Sequence, residues 1–144
     1  MTAAALPPET IVLAFDCGTR RIGVAVGNTL LRQARALATI DDERVDARFA
    51  RIGALIGEWQ PGLLVVGIPV HADGTEHAMT ARARRFARQL GGRYRLPVAQ
   101  ADERHTTQEA AAQLNASRAG RRGRDDRDAL AAQLILQGWF DDQR

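Results

Sequence analysis

The sequence predicts an α/β domain in which a mixed five-stranded sheet, an antiparallel meander extended by parallel strands, is flanked by helices. Three observations carry that expectation. Ile11 to Gly27 (IVLAFDCGTRRIGVAVG) is a pair of apolar, β-branched runs split by a Gly-Thr-Arg-Arg turn, the pattern of a hairpin of central strands. Leu63 to Ile68 (LLVVGI) is a continuous apolar run bounded by Gly62 and Pro69, as in a parallel strand covered on both faces. Amphipathic stretches then alternate with the runs, in the order strand, strand, strand, helix, strand, helix, strand, helix, helix.

The chain of 144 residues is long enough to bury one proper core. Residues 1–10, with alanines, two prolines and little periodicity, are expected to be a flexible tail, and 11–144 a single domain. Neither a charged start followed by an apolar segment nor an apolar stretch of about 18 residues is found, so no signal peptide or membrane span is expected, and a cytoplasmic protein is. The single cysteine, Cys17, suits a reducing compartment and a buried position.

All 20 basic residues are arginine, and the formal net charge is +3. Guanidinium groups bind phosphate in a planar, bidentate manner. Two stretches concentrate them. Residues 77 to 101 carry Arg82, Arg84, Arg85, Arg88, Arg93 and Arg95 and no acid; residues 118 to 127 carry Arg118, Arg121, Arg122, Arg124 and Arg127 against Asp125 and Asp126. Such surfaces suit a phosphate backbone, although either one alone also fits an ordinary solvated face.

In chain order, Arg35 to Ile40 is expected to form the third strand. Asp41 and Asp42 stand where a helix would be capped, and Glu43 to Trp59 presents Val45, Phe49, Ile52, Ile56 and Trp59 as one apolar stripe ended by Pro61-Gly62. In the loop Pro69 to Thr75, His71 and Asp73 lack a second pair at metal-ligand spacing and are read as exposed turn residues. A second helix, Glu76 to Leu90, buries Met79, Ala83, Phe86, Ala87 and Leu90 and stops at Gly91-Gly92. Arg95 to Ala101 is the fifth strand. Thr106 and Glu109 form a capping box for a short helix to about Leu114, followed by a mobile basic loop, Asn115 to Arg124. The last helix starts near Asp126 to Asp128, with Leu130, Ala131, Leu134 and Ile135 as its apolar face.

Asp16 is the awkward residue of the first hairpin. A carboxylate ending a strand covered on both faces is costly unless it is paired, caps a turn or holds a cation. Accepting the Gly18 and Thr19 amides is one reading. The other comes from the acids elsewhere: Asp102 and Glu103 end the fifth strand, and Asp125, Asp126 and Asp128 open the last helix. In layered sheets, sites form where strands end. Three converging carboxylates repel one another unless a hard divalent cation, Mg²⁺ or Mn²⁺, screens them. Two such ions about 3.5 to 4 Å apart can hold a scissile phosphate, activate water and stabilise the leaving oxygen. Alternation alone does not choose Glu103 over Asp102, nor Asp128 over its neighbours.

FDCGTRRIGVAVGN, VVGIPVHADGTE, ADERHTTQEA and DALAAQLILQGWF together resemble the successive motifs of the bacterial YqgF (RuvX) family of RNase H-like nucleases, from Val12 to Phe140. That family is described as Holliday junction resolvases and as nucleases processing the 5′ end of the small-subunit ribosomal RNA precursor. The resemblance implies an RNase H-like sheet and selects Asp16, Glu103 and Asp128 as catalytic metal ligands. It implies structured RNA or a four-way DNA junction as the partner; the arginines around the acids, Arg20, Arg21, Arg104, Arg118, Arg121, Arg122 and Arg124, are expected to hold that polyanion, with the protein a monomer or homodimer. His105 departs from the leucine common in the family and is read as exposed. Asp-X-Gly-Thr followed by Ile-Gly-Val-Ala also resembles the phosphate-binding hairpin of actin, Hsp70 and sugar-kinase ATPases, but those proteins need two such domains. A non-catalytic nucleic-acid-binding or transcription-factor module is the remaining alternative.

Overall fold

The computed structural model describes residues 9–71, 73–76, 78–102 and 124–143, with 124–126 in backbone only. Its strands are β1 (Ile11–Cys17), β2 (Arg21–Asn28), β3 (Ala34–Asp41), β4 (Leu63–Ile68) and β5 (Val98–Asp102); its helices are α1 (Val45–Trp59), α2 (Thr80–Tyr94) and α3 (Arg124–Asp142). The five strands lie in the order β3-β2-β1-β4-β5. β2 pairs antiparallel with β1 and β3, while β4 pairs parallel with β1 and β5. This is the expected meander with its parallel extension.

Strand alternation sorts the sheet into two unlike faces. Leu13, Phe15 and Cys17 of β1, Ile22, Val24 and Val26 of β2, and Leu64, Val66 and Ile68 of β4 face α1 and α2, where Phe49, Ile52, Phe86 and Leu90 cover them. Phe15 meets the Phe86 ring edge-on, with centroids 6.0 Å apart. The opposite face is built from small residues, Val12, Ala14, Ala25, Ala34 and Val65 among them, and receives Ala132, Ile135, Leu136 and Phe140 of α3. Large side chains hold one layer at a distance; small ones let the other approach.

Several boundaries differ from the sequence reading, each for a tertiary reason. Gly91-Gly92 does not end the second helix. α2 continues to Tyr94 and closes at Arg95, which takes φ 55° and donates its amide to the Gly91 carbonyl at 3.0 Å. The added turn is held from α1: the Tyr94 hydroxyl donates to the Phe49 carbonyl, and the Arg93 guanidinium lies 4.0 Å from the centre of the Phe49 ring. β5 consequently starts at Val98 rather than Arg95. At its other end α2 starts at Thr80, not Glu76, because Glu76 pairs back to Val70 in an isolated bridge and the buried Thr80 hydroxyl donates to the Pro69 carbonyl.

Asp41 and Asp42 do not cap α1. Asp41 ends β3, and the N-cap position belongs to Arg44, whose amide donates to Asp42 Oδ1 at 3.0 Å. Val45, expected on the apolar stripe, is 57% exposed, whereas Arg48 is buried in its place. In α3 the buried positions are Ala129, Ala132, Ile135, Leu136 and Phe140, so of the expected face only Ile135 is buried; Leu130, Ala131 and Leu134 are partly exposed. Residues 129–136 are apolar nearly all round, which leaves periodicity without a polar stripe to orient the helix. α3 also begins earlier than expected, at Arg124. Thr10, read as part of the tail, is buried: its amide donates to Thr29 Oγ1 and its carbonyl accepts the Thr29 amide, both at 3.0 Å. The helix expected over Thr106 to Leu114 and most of the basic loop lie outside the described residues.

Candidate functional site

The site is organised by the end of β1. Val12 and Ala14 face α3, so Asp16, next in the alternation, belongs to the same face. Its ladder partner on β2 is Gly23. A methyl group built on Gly23 would lie 1.9 Å from the Asp128 carbonyl oxygen and 3.2 Å from the Ala129 amide. The first half of α3 therefore rests directly on the backbone opposite Asp16, which only glycine permits. Gly27, two alternations along, makes the same allowance for the Phe140 ring, 2.7 Å from its would-be Cβ. On the other flank of β1, Phe15 pairs with Val66, and the next residue of β4 is Gly67. Glycine thus stands opposite Asp16 on β2 and follows Val66 on β4.

Asp128 is tied to the turn as well as to the strand. Arg21 Nε donates to Asp128 Oδ2 at 2.6 Å, and both side chains are 23% exposed. The second carboxylate oxygen of Asp128 makes no hydrogen bond among the described residues. Arg20, its neighbour, forms an exposed 3.3 Å ion pair with Asp41, a contact of small energetic weight. The Gly18 amide closes the hairpin on the Arg21 carbonyl at 2.9 Å, which takes that amide away from the turn-capping role considered for Asp16.

Beneath the turn sit two arginines that the sequence reading did not assign to the site. Buried Arg48 donates from Nε to the Asp42 carbonyl and from Nη2 to the Thr19 carbonyl at 2.6 Å, and Arg82 donates to the same Thr19 carbonyl at 3.2 Å. A guanidinium spanning two main-chain carbonyls fixes the turn from below, since releasing them would leave the buried Arg48 donors unpaired. The signal for Arg48 was present: it lies three residues after Val45 and four before Ile52, an arginine on an apolar stripe.

Cys17 points into the α1–α2 core. Burial pushes its thiol above the ordinary range, a rise that Asp16 reinforces and that nearby Arg82 and Arg48 oppose. A raised, enclosed thiol reacts slowly, because the thiolate is the nucleophile. Iodoacetamide at pH 8 is expected to label native protein far more slowly than urea-unfolded protein; equal rates would show the thiol to be accessible.

Of the other expected residues, Asp73 serves its own turn, accepting from the Thr75 amide at 2.9 Å and the Thr75 hydroxyl at 2.7 Å, which holds its carboxyl below the usual range. Asp102 pairs in register with Ile68 and shares its α1–α2 face, away from α3. Ala99 and Ala101 lie on the α3 face. Glu103, Arg104, His105, Arg118, Arg121 and Arg122 lie outside the described residues, as does the side chain of Arg124. Among the described residues no group of three or more His, Cys, Asp or Glu side chains is assembled, and no helix is long and apolar enough to cross a membrane.

The profile of the family described as "RuvX: Holliday junction resolvase" matches residues 10–142. A protein of Nitrosomonas europaea named "Putative pre-16S rRNA nuclease" is 56% identical over 131 residues, covering 90% of this chain and 88% of its own. A Ralstonia pickettii protein of the same name is 52% identical over 139 residues, covering 96% and 92%. Among solved structures, Thermus thermophilus RuvC in complex with a Holliday junction substrate superposes with a TM-score of 0.58 at 19% identity, over 93% of this chain and 95% of that one. The yeast mitochondrial Holliday junction resolvase gives 0.58 at 11% identity, over 95% and 80%. Those two likenesses establish the RNase H-like architecture. The profile match over almost the whole chain, together with relatives identical at more than half of the aligned positions, places this protein in the RuvX (YqgF) family.

Proposed function

We propose that this protein is a divalent-metal-dependent nuclease that hydrolyses phosphodiester bonds in structured nucleic acid, acting on the 5′ end of the 16S ribosomal RNA precursor. The observation that carries the reading is the seating of Asp128 over Gly23, the ladder partner of Asp16. It brings two acidic segments distant in sequence to one strand end, beside arginines suited to phosphate. The names of the close relatives support the RNA substrate.

The residues fit a hard cation. Asp16 and Asp128 supply the oxygen donors that such a cation selects. Glu103 is proposed as the third ligand. Ala99 and Ala101 lie on the α3 face while Asp102 lies on the other, which turns Asp102 away from Asp128. A bound Mg²⁺ or Mn²⁺ supplies Lewis acidity toward water and the leaving oxygen. The chain's own part is to hold the carboxylates on a rigid strand and helix, to orient Asp128 through Arg21, and to receive the polyanion on Arg20 and on the arginines from Arg104 to Arg124.

Cleavage of a four-way DNA junction is the second reading, favoured by the description of the matching family. Labelled precursor RNA and a four-way junction, each incubated with the protein in Mg²⁺, Mn²⁺ or chelator, separate the two. Metal-dependent cutting of the RNA is expected. Cutting of the junction alone would move the substrate to DNA, and no cutting of either in any metal would leave a non-catalytic binding module.

A further inference from the structure

Beyond Arg82, the outward arginines of α2 are not used by the site as described, yet their row begins at its edge. Arg82 sits in the first turn of the helix and donates to the Thr19 carbonyl of the β1–β2 turn, the turn that follows Asp16. From there α2 runs away from the site along the layer opposite α3. It contains no acid between Thr80 and Tyr94. Its buried side is Thr80, Ala83, Phe86, Ala87 and Leu90, which leaves Arg84, Arg85 and Arg88 outward and exposed. Arg84 is paired with Glu76 at 2.8 Å, whereas Arg85 and Arg88 make no ion pair among the described residues. Arg84 and Arg88 are also like charges four residues apart, an unfavourable arrangement on an isolated helix. Successive charges at three-residue steps climb the helix by about 4.5 Å each. The result is a strip of positive charge that starts at the catalytic turn and leads off it.

We propose that the outer face of α2, through Arg85 and Arg88, binds the phosphate backbone of the RNA helix flanking the cleavage site, with Arg82 joining this strip to the catalytic turn. The inference rests on the nuclease reading but assigns a surface that reading does not require. A substrate held only at the acids would leave α2 idle. One held also along α2 would enter in a set direction, crossing the β1–β2 turn from the α3 side to the α2 side.

The test is equilibrium binding of a fluorescent RNA hairpin with a single-stranded 5′ extension, followed by anisotropy in chelator across a salt series. Wild type is compared with Arg85→Gln/Arg88→Gln and with Arg32→Asn/Arg35→Gln, which removes as much charge from the β2–β3 end of the sheet. Losing two phosphate contacts should flatten the slope of log K against log salt by about 1.4 to 1.8. The β2–β3 variant should keep the wild-type slope. Wild-type binding with an unchanged slope in the α2 variant, or an equal loss in both variants, overturns the α2 surface while leaving the nuclease reading intact. A slope change seen with a four-way DNA junction but not with the hairpin overturns the assignment to RNA. Failure of wild type to bind either nucleic acid overturns both readings.

Discussion

Replacing Asp16 by asparagine is expected to reduce cleavage by on the order of 10³-fold or more, the scale at which removal of one charge-stabilising group is felt, while nucleic-acid binding in chelator is retained. The side chain keeps its shape and loses its charge. The variant should still fold, giving a cooperative thermal transition without metal. The metal response is what should change. A ligand present at about 100 times its dissociation constant stabilises the native state by about 2.7 kcal/mol, so Mn²⁺ should raise the wild-type midpoint clearly and that of Asp16→Asn much less. Full turnover in the variant would remove Asp16 from the chemistry. Lost turnover with an unaltered metal-induced shift would place the cation elsewhere.

The largest stability effect is expected at a residue with no side chain. Alanine at Gly23 would put a methyl group 1.9 Å from the Asp128 carbonyl oxygen, in contact with main chain rather than with a flexible side chain. The gains are small: about 0.8 kcal/mol for a buried methyl and up to about 1 kcal/mol from replacing glycine in a strand. Against them, α3 has to withdraw by more than an ångström, which opens the contacts of Ala132, Leu136 and Phe140, all buried against the small-residue face. A net loss of at least about 3 kcal/mol is expected, beyond the common range for an added core methyl, read as a lower urea midpoint at constant slope. The metal-induced stabilisation should disappear with it, since Asp128 no longer stands over Gly23 at the end of the β1–β2 ladder. A midpoint within about 1 kcal/mol of wild type would mean that α3 can seat itself without that close approach.

Much of this architecture was legible in the chain. β1, β2 and β4 are continuous β-branched runs whose pattern admits little else, and the meander with its parallel extension followed from their order. Part of the candidate site is legible too: an acid closing a buried strand asks for a partner, which singles out Asp16. The approach of α3 left a signature in β2, where Gly23, Ala25 and Gly27 fall on one face at steps of two, a flat strip that predicts a helix packed close. Arg48 left one as well, as a charge within an apolar stripe.

The amino-acid pattern alone thus specifies the sheet, the alternation that gives Asp16 its face, and the stock of arginine that suits the protein to a polyanion. Tertiary structure decided which side of α3 is buried, that α2 runs through two glycines to Tyr94, and that Asp128 stands over Gly23 and pairs with Arg21. The physical reason is common to all three. A strand's period of two marks its faces in the sequence, whereas a helix that is apolar all round, or whose last turn is held by its own tyrosine donating to a carbonyl of another helix, takes its orientation and its end from the surface it meets.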